Sequence, residues 1–200
     1  MPKYLNKEKN LFQESLDSFI YVDKSPLIEI LNKCIKTKQK YFCLCRPRRF
    51  GKSVTAQMLC SYYSRGEDSS SQFDSLKIAK STSYKKHLNQ YNVIFINMSL
   101  EFNSARYDVN QMISSITSSI VKELKEAYPK VVFNSPDKLY ESLDDVFSVS
   151  KVPFVFIVDE WDRIMREKKE DTDSLKKYLE WLKAIFKDKL YIGLAYMTGI

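Results

Sequence analysis

The segment 46–53 reads RPRRFGKS, and its last three residues match the end of a phosphate-binding loop. The usual pattern is G-x-x-x-x-G-K-[ST], so Gly51, Lys52 and Ser53 stand at the required positions. Glycine lets the backbone approach an anion closely, and consecutive amides at a helix N-terminus hold that anion. Lysine reaches the outer phosphates, and the serine hydroxyl ligates magnesium. The segment therefore predicts a nucleotide-binding loop, with a basic surface turn as the alternative.

The first position of the loop departs from the pattern, because Arg46 stands where glycine is expected. Pro47 fixes its own φ near about −65° and biases Arg46 toward an extended conformation. The restricted backbone of Arg46-Pro47 can therefore turn the chain out of the preceding strand, where the usual pattern relies on a flexible glycine. We predict that the whole loop binds the nucleotide, through Arg46, Pro47, Arg48, Arg49, Phe50, Gly51, Lys52, Ser53 and Val54.

A second motif supplies carboxylates at the end of an apolar run. The sequence FVFIVDEWD places the five apolar residues 154–158 before Asp159 and Glu160. We predict that Asp159 and Ser53 are magnesium ligands. Glu160 projects differently and could orient or deprotonate an attacking water, which is a catalytic role. The alternative is a strand that simply ends in a polar turn.

Other polar residues also follow apolar runs. Thr198, in AYMTGI, could sense the γ-phosphate or hold the lytic water, so Lys52, Glu160 and Thr198 are the candidate catalytic residues. Asn97 is a weaker candidate of the same kind. For both Thr198 and Asn97, ordinary turn chemistry is the alternative.

Two further groups have open roles. Arg48 and Arg49 could meet phosphate, a carboxylate or a partner, because the guanidinium group binds oxyanions bidentately. Phe19 and Tyr21, before the first helix, could pack beside an adenine. We favour an edge-strand or core-packing role for that segment.

The elements that must position these residues alternate along the chain. Apolar runs predict strands at 41–45, 93–98, 154–158 and 190–197. Helical spacing predicts helices at 52–63, about 108–128 and 174–186, with further helices beginning at Ser25 and Ser135. Strands that are apolar on both faces and separated by helices indicate a parallel sheet covered on both sides. Ligands bind at the carboxyl ends of such strands, where each motif falls.

Bulk properties limit the class of protein. The chain has 200 residues, 44% of them hydrophobic, which suggests one domain with an ordinary core. No run approaches the roughly 18 apolar residues of a membrane span, and the N-terminus lacks the apolar core of a signal peptide. We therefore expect an intracellular, cytoplasmic protein without a membrane partner. The net charge of +7 is compatible with nucleic acid, but the scattered lysines favour a solvated surface.

The cysteines do not form a recognised metal or redox pattern. The spacing of Cys43 and Cys45 suits neither a redox pair nor a zinc knuckle. A single histidine, His87, makes a zinc site improbable. We expect free, reduced and mostly buried thiols.

Five segments together resemble the AAA-ATPase-like family of P-loop ATPases: FIYVDKS, YFCLCRPRRFGKS, YNVIFINMS, FVFIVDEWD and LAYMTGI. The likeness runs from about Phe12 to the last residue, and the family's loop also begins with arginine. It implies an α/β, three-layer P-loop NTPase fold of the additional-strand type, in which one strand separates those carrying the loop and the acidic pair. It further implies ATP and magnesium at Gly51, Lys52, Ser53, Asp159 and Glu160, with Thr198 as a sensor.

The resemblance also bears on the extent of the domain. Family members commonly continue into a C-terminal nuclease-like domain, whereas this sequence ends at Ile200 without the last core strand. We expect residues 1–200 to be one AAA-ATPase-like domain, the N-terminal part of a longer protein. Trp161 stands where such proteins often have tyrosine, which is also aromatic.

The function implied is an ATP-binding, magnesium-dependent ATP-hydrolysing module that drives a conformational switch or a downstream effector. A homo-oligomer could supply an arginine to the site. The alternative is a non-catalytic module that binds nucleic acid or protein on a P-loop scaffold. A small-molecule kinase is disfavoured, because the sequence shows no signature of an acceptor pocket or a lid.

Overall fold

The strands of the protein form one parallel sheet. A computed structural model describes residues 2–6 and 10–200. Strand β1 spans Tyr41–Cys45, β2 Asn92–Asn97, β3 Phe154–Asp159 and β4 Ile192–Gly199. Their order across the sheet is β1-β4-β3-β2, and each neighbouring pair is parallel. Strand β4 therefore lies between β1 and β3, which confirms the predicted additional strand.

Helices connect and cover the strands. They are α1 (Asn10–Leu16), α2 (Pro26–Cys34), α3 (Lys52–Tyr63), α4 (Ser70–Phe73), a 3-10 helix (Lys77–Lys80), α5 (Tyr84–His87), α6 (Met98–Ser104), α7 (Val109–Ala127), α8 (Leu139–Ser150), α9 (Arg163–Glu167) and α10 (Thr172–Phe186). Within the ranges that the structure describes, no helix has the length and apolar character needed to cross a membrane.

Strand β3 is apolar at successive positions, without alternation of apolar and polar residues, because both of its faces are buried. Phe156 and Val158 pack in a core with α7, α8 and α10. Val155 and Ile157 point to the opposite face and pack in a second core with α1, α2 and α3. These four side chains are fully buried, and burial of each contributes about 1.5–3 kcal/mol. Two cores with one sheet between them form three layers, so the predicted fold class is confirmed.

Most boundaries of the predicted elements agree with the sequence patterns, whereas the short helices α1, α4, α5, α6 and α9 and the 3-10 helix were not predicted. Helix α3 has the predicted bounds, and α7 and α10 begin or end within two residues of the prediction. The helix predicted from Ser135 begins only at Leu139, so its N-terminal boundary was wrong. The hydroxyl of Ser25 does not cap α2. It accepts a hydrogen bond from the Ile78 amide at 3.1 Å instead, which ties the start of α2 to the 3-10 helix.

The two edges of the described sheet differ. Next to β2, Tyr4 and Asn6 form backbone hydrogen bonds with Phe95 and Val93 at 3.0 and 2.8 Å. Strand β1 pairs with β4 on one side and with no other described strand. Its Cys43 and Cys45 are exposed, with sulfurs 4.0 Å apart. The expectation of a buried strand with mostly buried thiols was therefore wrong for β1, since Cys43 and Cys45 are both exposed.

Candidate functional site

The sheet brings the sequence motifs to a single edge. In the parallel register, Leu44 lies opposite Thr198, and Asn97 lies opposite Asp159. The loop 46–51 leaves the end of β1 and leads directly into α3. The carboxyl ends of the four strands thus lie at one edge of the sheet, and the loop that leads into α3 begins at this edge, as expected of a parallel α/β sheet.

The loop is held at its start and turns sharply before the helix. The Arg46 amide donates to the Gly199 carbonyl at 3.2 Å, which extends the pairing of β1 and β4. Arg49 and Gly51 have φ angles of 68° and 70°, in the left-handed region that favours glycine. The amide N–H groups of residues 51–53, where α3 begins, donate to no residue in the described ranges. Unpaired amides at a helix N-terminus suit an anion.

The lysine of the loop lies within it. Lys52 is only 9% exposed. Its Nζ donates to the carbonyls of Arg46 and Pro47 at 2.6 and 3.0 Å. The ammonium group therefore crosses the loop from the start of α3, and its charge lies beside the unpaired amides.

One buried carboxylate joins three elements of the site. Asp159, at the end of β3, accepts a hydrogen bond from the Ser53 hydroxyl through Oδ2 at 2.8 Å. Its Oδ1 accepts from the hydroxyl of Thr198. Asp159 and Thr198 are 1% and 0% exposed, and a buried carboxylate requires such partners. The three predicted residues from α3, β3 and β4 are thus brought into direct contact.

Glu160, the residue after Asp159, has an unusual backbone conformation. Its φ angle is 55°, which is unusual for a residue other than glycine, and strain of this kind is often found at functional sites. The Glu160 amide lies 3.4 Å from the Thr198 hydroxyl oxygen. Its half-buried carboxylate forms no hydrogen bond or ion pair with any residue of the described ranges. That carboxylate is therefore available to a ligand or a water.

Asn97 has a local structural role. Its side chain accepts a hydrogen bond from the Leu100 amide at 3.0 Å and caps α6. This is the turn chemistry given above as the alternative to a role in a nucleotide site.

The comparison with protein families agrees with this geometry. A family model described as "Predicted AAA-ATPase" matches residues 10–200. The chain belongs to the AAA-ATPase-like family. No curated protein and no solved structure matches it. The family description supports an ATP-binding role for this AAA-ATPase-like chain, and the matched range agrees with the resemblance seen from about Phe12 onward.

Positive charge is concentrated on the loop of this family member. Arg46, Arg48 and Arg49 are exposed, and none forms an ion pair within the part of the chain that the structure describes. Lys24 adds a further cation, because its Nζ donates to the Phe50 carbonyl at 2.7 Å. The sequence placed Lys24 in the segment FIYVDKS but indicated no role for it, since no spacing rule connects residues 26 positions apart.

Behind Thr198, Asp162 fastens the end of β4. Its Oδ2 accepts from the Arg166 guanidinium at 2.9 Å and from the Ile200 amide at 3.1 Å. A Cβ at Gly199 would lie 3.0 Å from both Asp162 Oδ1 and Trp161 Nε1. A side chain at position 199 would therefore have to displace Asp162 and Trp161 by a few tenths of an ångström. Asp162 and Arg166 are four residues apart at the start of α9, and this helical spacing could have predicted their ion pair from the sequence.

Tyr196 lies on β4 two residues before Thr198. Burial, and then the negative charge of Asp159, raise the pKa of Tyr196 to about 12. The Tyr196 hydroxyl therefore stays protonated at neutral pH and contributes no negative charge beneath the site.

Thr198→Val is expected to destabilise the AAA-ATPase-like chain by about 1–3 kcal/mol. Valine keeps the shape of threonine but removes the hydroxyl that donates to the buried Asp159. Urea denaturation followed by circular dichroism measures the loss, and Thr198→Ser, which keeps the donor, is the matched control. A valine variant as stable as the wild type would mean that the hydroxyl does not support Asp159.

Proposed function

We propose that this AAA-ATPase-like chain binds ATP with Mg²⁺ and hydrolyses it to drive a conformational switch or a downstream effector. The observation that carries the proposal is the 2.8 Å contact between Ser53 Oγ and Asp159 Oδ2, directly beside Lys52 and the unpaired amides of the loop. A hydroxyl and a carboxylate at that position are the two protein ligands used for magnesium in P-loop NTPases.

The loop would hold the phosphates through its backbone. The amides of residues 51–53 are unpaired within the described ranges and can each donate to a phosphate oxygen. Lys52 would exchange the carbonyls of Arg46 and Pro47 for phosphate oxygens. A charge-assisted hydrogen bond to phosphate is stronger than one to a neutral carbonyl, so this exchange favours binding.

The residues present fit a magnesium ion. Ser53 and Asp159 would hold it, because Mg²⁺ prefers oxygen ligands and takes only a few of them from the protein. When bound, it would neutralise charge that develops on the transferred phosphoryl group. No group of three or more His, Cys, Asp or Glu side chains in the ranges 2–6 and 10–200 is placed to hold a metal ion. A site completed by phosphate and water does not need one.

Glu160 is assigned the catalytic role. Its carboxylate has no partner among the described residues, so it can orient a water and accept a proton from it. Thr198 links the two acidic residues. Its hydroxyl donates to the Asp159 carboxylate and lies 3.4 Å from the Glu160 amide nitrogen. Thr198 therefore acts on the geometry of both carboxylates.

A second function is favoured by the exposed Arg46, Arg48 and Arg49, which have no acidic partner in the described chain. Such a surface could bind nucleic acid or an acidic protein without hydrolysing ATP. Binding of DNA or RNA that persists without nucleotide and weakens with salt would favour this alternative.

Titration calorimetry of ATP into the purified chain, with Mg²⁺ and then with excess chelator, tests the proposal. We expect one ATP per chain, affinity at least about tenfold weaker after chelation, and magnesium-dependent phosphate release. Ser53→Ala should remove most of the magnesium effect, whereas Ser118→Ala, on the exposed side of α7, should not. A folded wild-type chain that binds no ATP would contradict the proposal.

A further inference from the structure

Lys24 connects the segment before α2 to the phosphate loop. Its Nζ donates to the Phe50 carbonyl at 2.7 Å and lies 3.5 Å from the Gly51 carbonyl oxygen. A Cβ at Gly51 would lie 2.4 Å from the same nitrogen, closer than real contacts allow. Glycine suits position 51 because its φ angle is left-handed, and it leaves space for the ammonium group, which a Cβ would displace.

The backbone on both sides of Lys24 is fastened to the 3-10 helix. The Asp23 carboxylate accepts from the Ser25 amide at 2.8 Å and from the Lys77 amide at 2.9 Å. Burial raises the pKa of the Asp23 carboxyl, but the hydrogen bonds from Ser25 and Lys77 outweigh it, and the pKa lies below its ordinary value. Asp23 is therefore ionised at neutral pH, and the turn that presents Lys24 is held at two points.

The hydrogen bond from Lys24 to the Phe50 carbonyl also sets the direction of the Gly51 N–H. In a trans peptide the C=O and the following N–H point in opposite directions, and the described chain contains no cis peptide. When Lys24 holds the Phe50 carbonyl, the Gly51 N–H must point away from Lys24. That N–H donates to no described residue, so Lys24 sets the direction of one unpaired donor of the loop.

The positive charge of Lys24 is not neutralised by a carboxylate of the described chain. Lys24 forms no ion pair within the ranges that the structure describes, and the loop lysine, Lys52, forms none either. A lysine whose ammonium contacts only backbone carbonyls polarises those peptides and makes their N–H groups better donors. This effect acts on an anion held by the loop without contact between the anion and Lys24.

We propose that Lys24 is a positioning residue of the phosphate loop, whose ammonium orients the peptide between Phe50 and Gly51 so that its N–H faces a bound phosphate. This inference rests on the proposed function, and it extends the site to the turn 23–25, which the nucleotide loop pattern does not include. The residue acts through the backbone, so it affects nucleotides through the phosphates that the loop amides hold.

The test compares Lys24→Met with wild type by calorimetry with Mg·ATP and Mg·ADP and by steady-state phosphate release. We expect about tenfold weaker binding of both nucleotides, a similar rise in KM and a kcat within about twofold, because one charge-assisted contact is lost. Lys24→Arg, which keeps charge and donors, should recover most of the affinity. Lys33→Met removes one exposed charge from α2 and should behave as wild type.

A second measurement does not depend on ATP. The amide resonance of Gly51 in the nucleotide-free protein should shift in Lys24→Met and return toward its wild-type position in Lys24→Arg. If wild type binds no nucleotide, the proposed function fails while this measurement still judges the contact. If wild type binds ATP and Lys24→Met binds it equally well, the inference fails alone.

The other possible results also support or overturn the proposed role of Lys24. Weaker binding confined to ATP would overturn the inference, because it would mean that Lys24 contacts the γ-phosphate directly. A Lys24→Met chain that does not fold would overturn it as well, because a half-exposed positioning residue is not needed for the fold. Equal weakening of ATP and ADP binding, with recovery in Lys24→Arg, supports it.

Discussion

Replacing Glu160 with glutamine is expected to lower the turnover of ATP by roughly 10²–10⁴-fold while affinity for ATP stays within about twofold of wild type. Glutamine has nearly the same shape but cannot accept the proton of an attacking water. The Glu160 carboxylate has no hydrogen-bond or ion-pair partner in the described chain, so the substitution breaks no contact that supports the fold. Its effect should therefore appear in kcat and not in stability.

Phosphate release at saturating ATP measures this loss, and calorimetry with Mg·ATP measures the affinity. Glu170→Gln is the matched control, because Glu170 is exposed and lies outside the site. A Glu160→Gln chain with wild-type turnover would exclude Glu160 as the catalytic carboxylate. A chain that lost affinity to the same degree would mean that Glu160 serves ATP binding instead.

Lys52→Ala is expected to weaken ATP binding by about a hundredfold or more, since it removes the charge-assisted hydrogen bonds of the ammonium group to the outer phosphates. Among the residues that the structure describes, Lys52 Nζ bonds only to the carbonyls of Arg46 and Pro47. Both of those residues are exposed, so water can replace the ammonium group. The free energy of unfolding should therefore change by less than about 1 kcal/mol.

Calorimetry with Mg·ATP and urea denaturation of the same samples separate these two effects for Lys52. Lys86→Ala, which removes an exposed lysine from α5, controls for the loss of one positive charge. Tight ATP binding by a folded Lys52→Ala chain would refute the assignment of the loop. A large loss of stability would mean that the carbonyl contacts of Lys52 hold the loop in its conformation.

The residues of the candidate site could be predicted because each lies where a local pattern changes. The apolar run of β3 stops at Asp159, and the glycine before Lys52 marks the start of α3. Thr198 lies near the end of another apolar run, β4. Parallel strands present their carboxyl ends at one edge, so these local signals were sufficient to expect the residues near one another.

The contacts within the site could not be predicted in the same way. The partners of Lys52 in the protein without nucleotide depend on the path of loop 46–51, whose left-handed turn at Arg49 has no sequence signal. The contact of Lys24 with Phe50 depends on how the turn 23–25 is fastened to the 3-10 helix. Each is a contact between segments distant in sequence, and no local periodicity reports on it.

The sequence by itself determined the four strands and the longer helices α2, α3, α7, α8 and α10, because periodicity and glycine placement act over a few residues. The shorter helices carry too few residues to show a periodic pattern. The sequence also determined the chemistry available at each strand end. Only the tertiary structure decided that β1 lies at an edge of the described sheet with Cys43 and Cys45 exposed. An apolar run reports that a strand can be buried on both faces, whereas its actual exposure depends on which neighbours pack against it. That choice is made by the whole fold, through contacts between residues far apart in the chain.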